Sequence, residues 1–81
     1  MKKYSLYYYD SCGYCRRVLR VIDKLKLDVE KRHIHNVPQH LDDLKNARGR
    51  QTVPVLRIDE EGETTWMPES RDIIAYLKTQ S

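Results

Sequence analysis

No stretch of this sequence approaches the roughly 18 consecutive apolar residues of a membrane-spanning helix. The main aromatic and aliphatic run, Tyr4 to Tyr9, stops at Asp10. The basic start, Met1-Lys2-Lys3, leads to no small-residue cleavage site, so no signal peptide is read there. The chain is expected to be soluble and unprocessed. Cysteine is scarce too, with only Cys12 and Cys15 in 81 residues. A bridge between them would close too short a loop to serve as the framework of a secreted mini-protein. That scarcity points to a reducing compartment, the cytoplasm, where such a pair is catalytic or metal-binding. Phe is absent, Gly and Pro number three each, and no repeat, low-complexity tract or linker is visible. The length predicts one small domain, residues 1–81. Its core is modest, so its chemistry should fall to a few surface residues.

What is present argues against disorder: 40% of residues are apolar and three segments are clearly periodic. The charge is uneven. Residues 1–35 hold nine basic and four acidic side chains, while 36–81 hold six and eight. Such a split can mark a nucleic-acid binder. No aromatic-rich basic repeat, zinc-finger spacing or RNP-like motif accompanies it, so no nucleic-acid partner is expected. Positive potential near a cysteine also favours its thiolate and attracts small anions.

The run Tyr4-Ser5-Leu6-Tyr7-Tyr8-Tyr9 suits a strand buried on both faces. From Cys12 to Leu25 the apolar positions 15, 18, 19, 22 and 25 form one helical stripe. Val29 to His35 reads as a second strand. A second helix starts near Pro38, buries Leu41, Leu44 and Ala47, and ends at Gly49. Val53 to Ile58 is a third strand, Asp59-Glu60-Glu61-Gly62 a turn, and Glu63 to Met67 a fourth strand. Ser70 is placed to cap a last helix that buries Ile73, Ile74 and Leu77. Tyr7 and Tyr8 read as core, Trp66 as edge-strand packing, and Tyr9 as near enough to reach a site at the strand end. The order β-α-β-α-β-β-α predicts a four-stranded mixed sheet flanked by three helices.

Cys12-Gly13-Tyr14-Cys15 falls where a strand ends and a helix begins. Free N–H groups at a helix start stabilise an anion. The first-turn position should leave Cys12 exposed, and the i, i+3 spacing brings Cys15 to the same face. An ordinary cysteine of pKa about 8.5 is only about 3% thiolate at neutral pH, so such an environment matters for reactivity. Arg16 and Arg17 add positive charge. Cys12 is expected to be the nucleophile and Cys15 the less exposed resolving thiol. A zinc site completed by His33, His35 or His40 lacks the usual second pair or His spacing. The histidines read as ordinary strand and surface residues.

With Thr52-Val53-Pro54 and Met67-Pro68-Glu69-Ser70-Arg71-Asp72-Ile73, the Cys-x-x-Cys motif resembles the glutaredoxins over nearly the whole chain. The Glu-Ser pair resembles glutathione transferases and the glutaredoxins closest to them. The resemblance implies a thioredoxin-like fold and a glutathione-dependent thiol–disulfide oxidoreductase. It implies a cis Pro54 facing the cysteines and a Val53 whose N–H and C=O pair with the glutathione backbone. It implies Ser70 at the γ-glutamyl carboxylate and Glu69 at its ammonium. Arg50 or Gln51 would take the glycyl carboxylate, with Tyr14 and Thr52 also at the glutathione site. Two departures stand out. Tyr9 occupies the position where many glutaredoxins have Lys, and Gly13 replaces the common Pro. In this family such a Gly is often linked to a [2Fe–2S] cluster between two protomers, with the first cysteine and glutathione thiols as ligands.

The first reading is therefore a monomeric dithiol glutaredoxin acting on protein disulfides and glutathionylated proteins, with no membrane partner. The alternative is a [2Fe–2S] carrier or sensor, dimeric only with its cluster. A third is a hydrogen donor served by thioredoxin reductase. A glutathione transferase is not expected, because no helical second domain follows within the 81 residues.

Overall fold

Alternation along the first strand divides the molecule into two layers of core. Successive side chains on a strand point to opposite faces. Leu6 joins Val18, Ile22, Leu56, Ile58, Ile73 and Leu77 in one buried cluster. Tyr7, its neighbour, joins Ile34, Leu44 and Val55 in another. The structure, a computed structural model, describes residues 2–49 and 53–80. Its elements run β1 (Lys2–Tyr8), α1 (Gly13–Leu25), β2 (Val29–His33), α2 (Pro38–Arg48), β3 (Val55–Glu60), β4 (Glu63–Met67) and α3 (Ser70–Thr79).

The strands lie in the order β2-β1-β3-β4. β1 and β2 are parallel, while β1–β3 and β3–β4 are antiparallel. Helices α1 and α3 add Val18, Ile22, Ile73 and Leu77 to the first cluster, and α2 adds Leu44 to the second. This is the thioredoxin-like α/β arrangement of a four-stranded mixed sheet and three helices. Among the described residues, no helix is long and apolar enough to cross a membrane.

The α2 side of the sheet is partly polar, and its aromatic groups are arranged to suit. Tyr7 is fully buried, and its hydroxyl accepts a hydrogen bond from Arg32 at 2.7 Å. Arg57 lies 5.3 Å from the ring of Trp66 on the edge strand β4. Trp66 in turn packs 5.4 Å from Tyr7. Arg32 and Arg57 are each paired with an acid, Glu30 and Asp59.

Several boundaries differ from the sequence reading. β2 stops at His33 because the His33 Nδ1 accepts the N–H groups of His35 and Asn36 at 3.2 and 3.1 Å, which turns the chain. β3 starts at Val55, since Pro54 has no N–H to give to a ladder. The β3–β4 turn is tighter than four residues. Glu61 and Gly62 both have positive φ, 48° and 84°, as a two-residue type I′ hairpin requires. Asp59 and Glu60 remain in the ladder opposite Thr64 and Glu63. In α2, Leu44 is buried and Leu41 half-buried, but Ala47 is exposed. The helix meets the sheet through a short patch only, and Ala47 lies beyond it. Gly49, at φ 68°, ends α2 as its C-cap.

Candidate functional site

Cys12 is the N-cap of α1, with extended backbone at φ −86° and ψ 113°. Its N–H donates to the Tyr9 carbonyl at 3.3 Å, which closes the turn between β1 and the helix. Its sulfur accepts the Cys15 N–H at 3.2 Å. The thiol, donating in turn, meets the Val53 carbonyl at 3.9 Å. The sequence placed Cys12 in the open, but it is only 7% exposed. The Val53 carbonyl lies against its sulfur. Cys15 is fully buried, so the order of accessibility is the expected one.

Burial, together with the hydrogen bond and charge of Cys12 beside it, pushes the Cys15 thiol up to about 12 from an ordinary value of 9.0. Cys15 is therefore a thiol at neutral pH. The folded state holds this proton above the pH at which the unfolded chain releases it. The stabilisation is complete below about pH 9 and is lost as pH rises toward 12. Cys15→Ala is expected to flatten the fall in the urea midpoint between about pH 8 and about pH 10.5. An unchanged slope in the variant would assign the alkaline loss elsewhere, for instance to Tyr4, whose hydroxyl burial also raises to about 12.

Val53 and Pro54 are joined by a cis peptide bond, as the resemblance implied. They line a groove of about 670 Å³ together with Tyr14, Arg48, Pro68 and residues 69–72. Tyr14 is 63% exposed on its rim. Ser70 lies in the groove but does not cap the helix. The Ile73 N–H donates to the Glu69 carbonyl at 2.8 Å, which makes Glu69 the N-cap and Ser70 the first helical residue. The Glu69 side chain makes no capping hydrogen bond. A helix start without a side-chain cap is one that can receive an anion.

Arg48 is the residue that sequence reasoning passed over. A cation in the last turn of α2 is already explained by the helix dipole, yet Arg48 also lines the groove. Its Nε is buried with no hydrogen-bond partner among the described residues. Arg50, Gln51 and Thr52, the other expected contacts, lie outside the described residues.

The remaining candidates are not in the groove. Arg16 and Arg17 are exposed on α1. The ring of Tyr9 stacks on His35 at 4.9 Å, so Tyr9 touches the site through its backbone. His33 Nε2 is 3.1 Å from the Asp10 carboxylate without hydrogen-bond alignment. Among the described residues, no three His, Cys, Asp or Glu side chains gather as a metal site would need. A Cβ at Gly13 would meet nothing within 4 Å, so a glycine is not needed there for room.

The glutathione S-transferase N-terminal domain family matches residues 6–81. Among solved structures, a trimeric glutathione transferase from Leishmania is 26% identical with a TM-score of 0.77, over 96% of this chain and 18% of that one. Maleylacetoacetate isomerase from Anaeromyxobacter dehalogenans 2CP-1 is 25% identical with a TM-score of 0.72, over 98% of this chain and 36% of that one. The chain therefore spans about a third or less of these proteins. A glutaredoxin from Archaeoglobus fulgidus shares the fold at 16% identity and a TM-score of 0.66, over 96% of this chain and 88% of that one. Among curated proteins, none matches.

Proposed function

The chain belongs to the glutathione S-transferase N-terminal domain family, and from that premise we propose that it is a glutathione-dependent thiol–disulfide oxidoreductase of the dithiol glutaredoxin kind. One observation carries the reading: a cysteine sulfur at a helix start, receiving the Cys15 N–H beside the groove of Val53, Pro54, Glu69 and Ser70. Donation from N–H groups favours a sulfur anion, the form that attacks disulfides.

In the first step the Cys12 thiolate attacks the glutathione sulfur of a protein mixed disulfide. The Cys12–glutathione disulfide forms, and the protein thiolate leaves and takes up a proton. A second glutathione thiolate then attacks that glutathionyl sulfur, releasing oxidised glutathione and restoring Cys12. With a protein disulfide, Cys12 first forms a mixed disulfide with the protein. Cys15 displaces the protein thiol by forming the Cys12–Cys15 disulfide, and two glutathiones reduce it. Glutathione is held by its backbone against Val53 and by its γ-glutamyl carboxylate against Ser70 and the first N–H groups of α3. Glu69 takes the ammonium, and Arg48 takes the glycyl carboxylate in the place first sought at Arg50 or Gln51. The setting is a reducing compartment such as the cytoplasm.

The [2Fe–2S] alternative rests on the resemblance at Gly13 alone.

The test compares reduction of a glutathionylated peptide with glutathione plus glutathione reductase, with thioredoxin reductase alone, and conjugation of glutathione to an electrophile. Turnover in the first assay is expected. Turnover only in the second or third would overturn the reading. Arg48→Ala is expected to raise KM for glutathione about 10- to 100-fold with little change in kcat, since a charge-assisted hydrogen bond is worth about 1.5–3 kcal/mol. An unchanged KM would remove Arg48 from the groove's chemistry.

A further inference from the structure

Helix α1 carries Arg16 and Arg17 near its N-terminus, where the helix dipole does not favour cations. The last turns of all three helices carry cations, Lys24 in α1, Lys45 and Arg48 in α2 and Lys78 in α3, as the helix dipole favours. The first turn of α1 has no acid, and Arg16 and Arg17 stand at and just beyond it. Arg16, Arg20 and Lys24 then follow at i, i+4 spacing, a row of like charges that repel one another. A merely solvated face would mix signs along such a row. The one acid on the helix, Asp23, is taken by Lys31 at 3.4 Å.

Arg16, Arg17, Arg20 and Lys24 are all exposed, and none has an ion-pair partner among the described residues. At about 100° per residue they fall within an arc of about 100°, opposite Cys15, Val18 and Ile22, which the helix buries. The stripe begins about 6 Å from Cys12 along the helix axis and ends about 18 Å away, at 1.5 Å per residue. Tyr14, which lines the groove, lies beside the arc rather than in it, so a chain on the stripe leaves the groove open.

We propose that this stripe is a docking surface for an acidic segment of the substrate protein, flanking the cysteine whose disulfide Cys12 attacks. The proposal rests on the exchange chemistry described above and adds its substrate class. An extended chain covers the distance from sulfur to stripe in roughly two to five residues, so the acidic side chains stand two to five positions from the reacting cysteine. Opposite charge speeds the encounter and orients it, and salt screens the effect.

The experiment uses two glutathionylated peptides of equal length, with Asp and Glu or with Ser and Gln at those positions, and hydroxyethyl disulfide as a small substrate. At about 20 mM salt, kcat/KM for the acidic peptide is expected to exceed that for the neutral one about tenfold, and the ratio should shrink at about 300 mM. Arg20→Gln with Lys24→Gln is expected to abolish the preference while leaving the neutral peptide and hydroxyethyl disulfide unchanged. Equal rates for the two peptides, a preference that ignores salt, or a preference that survives in the double variant would overturn the docking surface. So would salt-sensitive retention of duplex DNA or RNA in a gel-shift assay without any peptide preference. Turnover without preference leaves the oxidoreductase reading standing, whereas no turnover of any of the three disulfides removes both.

Discussion

Cys12→Ser is expected to lower exchange by at least about a thousandfold, as loss of a nucleophile does in other enzymes, while Cys15→Ser retains most of its deglutathionylation. The asymmetry follows from the surroundings of the two sulfurs. Cys12 receives an N–H and sits beside the groove. Cys15 is fully buried and is held as a thiol by burial and by Cys12 itself. Once Cys12 is engaged in a disulfide, its hydrogen bond no longer opposes ionisation of Cys15, while burial, the larger cause, still does. Serine at position 15 keeps the N–H that donates to the Cys12 sulfur, so the first half of the reaction remains intact. Reduction of a protein disulfide, which needs the second thiol, should fall more steeply in Cys15→Ser than deglutathionylation does. Reductase-coupled rates on a glutathionylated peptide and on a disulfide-bonded protein check this. Equal loss from both substitutions on the peptide would contradict it.

The placing of these groups was legible in the sequence wherever a short-range pattern sets it. The stripe Cys15, Val18 and Ile22 gave α1, and Gly49 gave the end of α2, because the 3.6-residue period and the left-handed C-cap are local rules. Failures came where distant segments decide. Cys12 reads as exposed from its place at a helix start, but the carbonyl of Val53, 41 residues away in sequence, lies against its sulfur. Ala47 fits the α2 stripe, yet the helix meets too little of the sheet to bury it. Ser70 carries a capping side chain, but the hydrogen bond from Ile73 to Glu69 sets the helix start one residue earlier. Arg48 was hidden for a similar reason. One cation at a helix end has a sufficient local explanation, and only the groove that Arg48 shares with Pro54 and the start of α3 shows what it faces.

That dependence on packing makes Leu56→Ala the second large effect. Leu56 pairs in register with Leu6 on β1 and Met67 on β4. It is fully buried in the cluster that α1 and α3 share. Truncation there removes about 2–5 kcal/mol, from a total of roughly 4–12 kcal/mol for a chain this size. The melting temperature is expected to fall by roughly 10–30 °C. A shift of a few degrees would mean that the layer between sheet, α1 and α3 is not the main core. The same layer positions the site. The N-terminus of α1 carries Cys12, and that of α3 carries Glu69 and Ser70. The two helices pack on each other across this cluster. In Leu56→Ala kept cold enough to stay folded, KM for glutathione should therefore rise, because the two helix ends that bound the groove lose their common support. Val55→Ala removes fewer methyl groups from the opposite layer, so its melting temperature should fall less than that of Leu56→Ala. If the two variants melt together, the α2 layer contributes as much as the layer that holds the cysteines.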